Sequence, residues 1–258
     1  MRKLLASVSV LATLAAAPVM AADMPEYPDI DIPDVDYDIG GSFYLRGSAA
    51  LNLHWARDVK HGATWAGQLV HAIDQNGYGY SYGAGFGYET GDGLRFDATI
   101  DAVETRGIRI TKAGLPAPDE NGTYTLGLRS TVALANVYYD FGFGGGGGLG
   151  GFGYTGGGGA FGYVGLGAGV AWNNTQVYVS PAANTPVPAG GNVSAAAAVM
   201  AGVGYDMGNW VADVGYRGLY INSINNSPTD PAVDPGLFYQ IDHNWIHEVR
   251  GTVRYRFN

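Results

Sequence analysis

The chain has 258 residues, with 23 Asp and Glu against 14 Lys and Arg, 42 glycines and no cysteine. A formal charge of −9 argues against nucleic-acid binding, which is driven by neutralising phosphates. Without cysteine there is no disulfide framework and no thiolate metal site.

Met1-Arg2-Lys3, an apolar run from Leu4 to Ala17 and the small residues around Ala21 read as a secretory signal peptide. Cleavage after Ala21 puts Val19 and Ala21 at the two positions that need small side chains. The apolar run is short for a membrane helix of about 20 residues. Residues 1–21 are therefore set apart from the fold, and the mature charge becomes −11 with the loss of Arg2 and Lys3. Residues 22–40 follow, with spaced prolines and the acids Asp23, Glu26, Asp29, Asp31, Asp34, Asp36 and Asp38. That composition predicts a flexible, solvated lead-in.

From residue 41 to 258 the dominant signal is alternation with period two, the mark of β-strands. Between Gly41 and Trp55 one face carries Phe43, Leu45, Leu51, Leu53 and Trp55, and the other Tyr44, Arg46, Ser48, Asn52 and His54. A second strand sets Tyr78, Tyr80, Tyr82, Phe86 and Tyr88 against Gly79, Ser81, Gly83, Gly85 and Gly87. The turn Thr90-Gly91-Asp92-Gly93 leads into a third, with Leu94, Phe96 and Ile100 opposite Arg95, Asp97 and Asp101. Further strands are predicted at 125–141, 164–173, 199–206, 210–220 and 245–257. The last of these sets Val249, Val253, Tyr255 and Phe257 against Glu248, Arg250, Arg254 and Arg256.

Eight strands are expected, joined alternately by short turns and by connections of about twenty residues near 57–77, 105–123, 174–193 and 222–243, the asymmetry of an outer-membrane barrel. The glycine-rich connection at 142–159 departs from this rule and reads as a long flexible turn. Trp55, Tyr78, Trp172, Trp210, Tyr220, Trp245 and Tyr255 fall at strand ends, where aromatic rings favour the membrane–water interface. The fold class predicted is all-β: an eight-stranded antiparallel transmembrane β-barrel. Alternation alone does not say which face points out, and a lipocalin-like barrel would turn the apolar face inward. The glycine-rich, lysine-poor opposite face is a poor coat for water, so the apolar face is expected to meet lipid.

The other face then lines the lumen with Arg46, Arg95, Asp97, Asp101, Asp140, Asp213, Arg217, Glu248, Arg250 and Arg254. An eight-stranded barrel is barely wide enough for its own side chains, and buried charges must be paired, so a self-neutralising polar network is expected there. The alternative is a narrow pore lined by the same groups. No motif ties His54, His61, His71, His243 or His247 to a nucleophile, so catalysis is not expected. No cofactor or metal site is expected either. The G-x-G strings lie within strands and not before a helix, which excludes a phosphate loop.

Several strings carry a family resemblance. They are Phe43-Tyr44-Leu45-Arg46-Gly47, Asn136-Val137-Tyr138-Tyr139-Asp140-Phe141-Gly142, Tyr163 through Ala171, Met200-Ala201-Gly202-Val203, Asp213-Val214-Gly215-Tyr216-Arg217, and His247-Glu248-Val249-Arg250 through Arg254-Tyr255-Arg256-Phe257. Together, from about Gly41 onward, the chain resembles the small outer-membrane β-barrel family of alphaproteobacteria, which includes the opacity-type and Brucella-type surface proteins. The resemblance implies an eight-stranded barrel in the bacterial outer membrane, in contact with outer-membrane lipid and lipopolysaccharide. It implies insertion by the outer-membrane assembly machinery, which reads a terminal strand with Tyr255 and Phe257 as its aromatic signal. Asn258 after the aromatic residue, and Gly251 one position early, depart from the usual signal. Relatives that bind haem or contact a host imply that a host or surface ligand would be met through the long loops. A lipid-modifying barrel is the remaining alternative.

Overall fold

The computed structural model describes residues 41–61, 69–112, 122–143, 159–179, 190–226 and 239–257. The signal peptide expected at 1–21, the lead-in at 22–40 and most of the glycine-rich connection at 142–159 lie outside the described residues.

Among the described residues ten strands follow one another: β1 (Ser42–Trp55), β2 (Asp58–His61), β3 (Leu69–Gln75), β4 (Gly77–Glu89), β5 (Leu94–Lys112), β6 (Gly122–Gly142), β7 (Gly159–Val179), β8 (Gly190–Asp206), β9 (Trp210–Asn225) and β10 (Tyr239–Phe257). Eight of them form a ring, β1-β4-β5-β6-β7-β8-β9-β10, with every neighbouring pair antiparallel. β1 and β10 close it, in register from Phe43↔Phe257 to Trp55↔Trp245. Closure leaves none of the eight ring strands at the edge of the sheet, which a lipid environment demands because an unsatisfied backbone group there costs several kcal/mol.

The remaining two strands correct the expectation of a plain loop at 57–77. β2 continues β1 past Ala56 and Arg57 and pairs with β10, while β3 pairs with β2 and β5 and leads into β4. This hairpin lengthens the wall at one end of the barrel. Ala56 and Val59 give it a reason to fold, because they pack inside with Ile108, Ile110, Leu126, Tyr239 and Ile241.

The expected connections at 105–123, 174–193 and 222–243 are corrected in the same sense. Strand structure runs on to Lys112, Val179 and Asn225 and resumes at Gly122, Gly190 and Tyr239. On β5 the reason for the misjudged end is a bulge. The register with β6 shifts between Thr105 and Ile108, and Gly107 sits at φ 83°, in the left-handed region open to glycine. Before the bulge the inward residues are Asp101, Val103 and Thr105; after it they are Ile108 and Ile110. One inserted residue reverses the alternation, so a period-two reading fails there although the strand goes on.

The two faces of the wall differ throughout. Leu45, Leu51, Ile100, Leu166, Val203, Val214 and Val249 project outward, Leu51 with 74% of its surface exposed. At the end bearing the tight turns, outward aromatic residues stand side by side: Phe43 faces Phe257 and Tyr88 across the ladder, and Trp210 packs on Tyr255 at 4.9 Å. At the other end Trp55 faces Trp245, Tyr220 packs on Trp245 at 5.2 Å, and Tyr78 and Trp172 stand nearby on their strands. Twelve residues separate Phe43 from Trp55, about 40 Å along a strand and about 30 Å along the barrel axis at the usual tilt. The two belts are thus spaced to bracket a hydrocarbon layer of about 30 Å.

Candidate functional site: the lumen

The polar face converges on the barrel axis, and its charges fall into three tiers. Nearest the tight turns, Arg256 binds Asp206 at 2.6 Å and also pairs with Glu89. Arg254 reaches Glu89 at 3.3 Å and Asp140 at 3.8 Å, and Arg95 holds the other oxygen of Asp140 at 3.0 Å. Asp213 accepts a hydrogen bond from Tyr163 Oη at 3.2 Å and lies 3.9 Å from Arg254 Nε.

In the next tier Asp97 is the hub. It accepts hydrogen bonds from Arg46 at 2.7 Å, Tyr44 Oη at 3.0 Å and Asn136 Nδ2 at 2.7 Å. Arg46 also donates to Tyr138 Oη at 2.8 Å, and the Arg95 guanidinium lies 4.2 Å from the centre of the Tyr138 ring. The ring face offers a cation a partially negative surface, so Tyr138 serves both arginines.

The third tier is a four-membered cycle of alternating charge. Arg217 donates to Asp101 at 2.6 Å and to Glu248 at 2.6 and 3.1 Å, and Arg250 binds Asp101 at 2.9 Å and Glu248 at 3.0 Å. Ser81 caps Glu248 at 2.8 Å and Ser48 receives Arg250 at 2.8 Å. Each carboxylate meets two guanidiniums, the arrangement that offsets the several kcal/mol of desolvation per buried ion.

Above the charges the lumen is neutral, with polar and apolar side chains interleaved. His54 shares a 3.1 Å hydrogen bond with Asn244, and Ser130 donates to Asn173 at 2.7 Å. Interleaved with them, Val103, Leu128, Leu219, Ile221 and Ile224 are buried in one apolar cluster. The gap lined by Arg46, Arg95, Tyr138, Tyr163 and Asp213 measures about 10 Å³, room for at most one water.

Inward glycines make this density attainable. A Cβ on Gly165 would collide with the Tyr138 ring, one on Gly204 with Phe161, and one on Gly83 with the Asp101 carboxylate. Bulky lumen side chains therefore lie flat across neighbouring strands where those strands carry no side chain. The glycines that alternate with outward apolar residues on β4, β7 and β8 have a steric purpose that composition alone did not disclose.

The structure places all ten residues proposed from sequence on the inward face, and each has an oppositely charged partner within 4 Å. It adds to those ten Glu89, Asp206 and Arg256 at the turn end, and Tyr44, Asn136, Tyr138 and Tyr163 as neutral partners. Arg256 shares its parity with Arg254, and Asp206 with Gly204, so both were readable. That Tyr44 and Tyr138 serve the charges was not, because an inward tyrosine looks like any core aromatic until its hydroxyl finds a partner. Among the described residues the network sets six arginines against seven carboxylates. Of the histidines with described side chains, His54 is buried, while His243 and His247 pair with Tyr220 and Tyr216 on the outer surface. Among the described residues no cluster of His, Asp and Glu is arranged to hold a metal ion.

A closed antiparallel ring, apolar outside between two aromatic belts and polar within, is the architecture of an outer-membrane β-barrel. No family model and no curated protein matches the chain. Among solved structures it is similar to Neisserial surface protein A (NspA), at 19% identity and a TM-score of 0.45, over 84% of this chain and 99% of that one. It is also similar to the outer membrane protein OprG from Pseudomonas aeruginosa, at 16% identity and a TM-score of 0.45, over 84% and 97%. The outer membrane protein AlkL, determined in lipid bilayers, aligns at 12% identity and a TM-score of 0.39, over 94% and 97%. These are distant likenesses, and the barrel stands on the strand register and the burial of its two faces.

Proposed function

We propose that this chain is a closed surface barrel of the bacterial outer membrane, with a structural or surface-interaction role, no catalytic activity, and any specific recognition carried by the connections at the hairpin-bearing end. The observation that carries this reading is the filled lumen. Its charges neutralise one another at 2.6–3.9 Å, and buried apolar side chains pack among and above them. A path for ions needs water-filled width, and a strained, exposed nucleophile with its base is what an esterase or protease rim would need. The partners are outer-membrane lipid and lipopolysaccharide around the wall, and a host or surface ligand at the loops. Export through the signal peptide at 1–21 and insertion by the assembly machinery, with Tyr255 and Phe257 as the terminal signal, complete the proposal. The absence of cysteine makes the test clean. In intact cells a membrane-impermeant maleimide is expected to label Ser227→Cys, and to label Asn209→Cys only after lysis. Labelling of both, or only of Asn209→Cys, refutes the orientation; labelling of neither before lysis refutes surface display.

A further inference from the structure

On the outer wall at the hairpin-bearing end, the alternation places charges where lipid-facing apolar residues would otherwise continue. Arg106 and Arg129 are exposed over 71% and 63% of their side chains, and both turn to Glu104, at 3.6 and 2.7 Å. Tyr80 Oη also donates to Glu104, at 2.9 Å. Arg109, past the bulge, is exposed on the same side of β5. Three guanidiniums, against Glu104 and the exposed Asp74 next to Gln75, which is opposite Arg109, make a net positive patch on a chain whose formal charge is −9.

The height of this patch is fixed by register. Arg106 is opposite Tyr78, and Arg129 is two positions beyond Thr131, which is opposite Trp172. Tyr78 and Trp172 belong to the aromatic belt, so the guanidiniums stand at and just beyond the hydrocarbon boundary, at headgroup level. Below them Ile100 and Val137 on the same strands, with Tyr82 on the adjoining β4, offer an apolar wall. Guanidinium forks suit phosphate oxygens, which they bind by paired charge-assisted hydrogen bonds. Glu104 keeps two of the forks converging on one point.

We infer that Arg106, Arg109 and Arg129 form a docking site for the phosphorylated headgroup of an outer-leaflet glycolipid, whose acyl chains run down the wall over Tyr82, Ile100 and Val137. This inference rests on the outward orientation of the hairpin-bearing end proposed above. Glu104 is the restraint on the site: it holds the arginines in place and competes with the phosphate.

The test uses the full chain refolded into zwitterionic detergent, its folding checked by heat-modifiable gel migration. Retention of isotope-labelled diphosphorylated lipid A is compared with that of the same lipid after phosphatase treatment. The diphosphorylated form is expected to bind about tenfold more tightly, in line with the loss of two or three charge-assisted contacts. Arg106→Gln, Arg109→Gln and Arg129→Gln combined are expected to abolish that preference, while Glu104→Gln strengthens binding. A purely structural Glu104 would instead weaken it. Equal retention of the two lipids, or a triple variant that keeps the preference, overturns the site. Tighter binding of a sulfated polysaccharide than of the lipid also overturns it, by assigning the patch to a soluble polyanion. A chain that fails to shift on the gel would refute the barrel itself, a separate outcome from any of these.

Discussion

Arg217 is the most informative single residue to remove. Its guanidinium is 2% exposed and spans Asp101 and Glu248 through three hydrogen bonds of 2.6, 2.6 and 3.1 Å. In Arg217→Met the volume is nearly kept, but the cycle passes from neutral to one net negative charge, with Arg250 left to hold both carboxylates. Breaking a buried ion pair by deleting one partner costs about 3–5 kcal/mol. At a slope of about 2 kcal/mol per M of urea, the unfolding midpoint in lipid vesicles, followed by tryptophan fluorescence, should drop by about 2 M. Adding Glu248→Gln to the same chain removes the surplus charge, so about 1–2 kcal/mol of the loss should return. A midpoint shift below about 0.5 M for Arg217→Met, at the same slope, would show that the cycle is hydrated and not buried. A double variant no more stable than the single would show that the carboxylates were never electrostatically coupled to Arg217.

Other substitutions test the two faces separately. Leu51→Arg, in the middle of the outward band, should lower stability by about 2–4 kcal/mol in bilayers, measured by the same unfolding assay. Gly165→Leu meets the Tyr138 ring and should cost about 3 kcal/mol or abolish refolding, whereas Gly47→Ala, which faces open space, should change stability by less than about 0.5 kcal/mol. Tyr44→Phe removes one bond to Asp97 and should cost about 1–2 kcal/mol, the upper range because the acceptor is charged and buried. Phe257→Ala should leave refolding in detergent intact while lowering the yield of protein inserted in the membrane of expressing cells; an unchanged yield would refute its role as an assembly signal.

Much of this architecture was legible because a barrel wall obeys one rule over most of its length. From Phe43 to Trp55, and from Val249 to Phe257, every second residue meets lipid, so apolar and polar positions separate cleanly in the sequence. The reading broke where the rule breaks. The bulge at Gly107 reverses parity on β5, and the outward polar cluster of Glu104, Arg106 and Arg129 then looks like the start of a loop. In β2 and β3, strands of four and seven residues, too few residues alternate to separate a hairpin from a polar connection. Within the lumen, charged residues announced themselves because burial of a charge is costly. Which arginine meets which carboxylate depends on shear between strands, and the cycle of Asp101, Arg217, Glu248 and Arg250 joins residues up to 149 apart in sequence. Tyr44 and Tyr138 entered the network through hydroxyl geometry, to which periodicity is blind.

Single-channel recording tests the central claim most directly. The full chain, folded by the heat-modifiability criterion, is inserted into a planar bilayer and held under a potential in concentrated salt. A lumen closed by paired charges and buried apolar side chains predicts no discrete conductance steps above the bare bilayer. Steady steps that scale with salt concentration, and that change in size with Arg217→Met, would contradict it and establish the same residues as the lining of a pore.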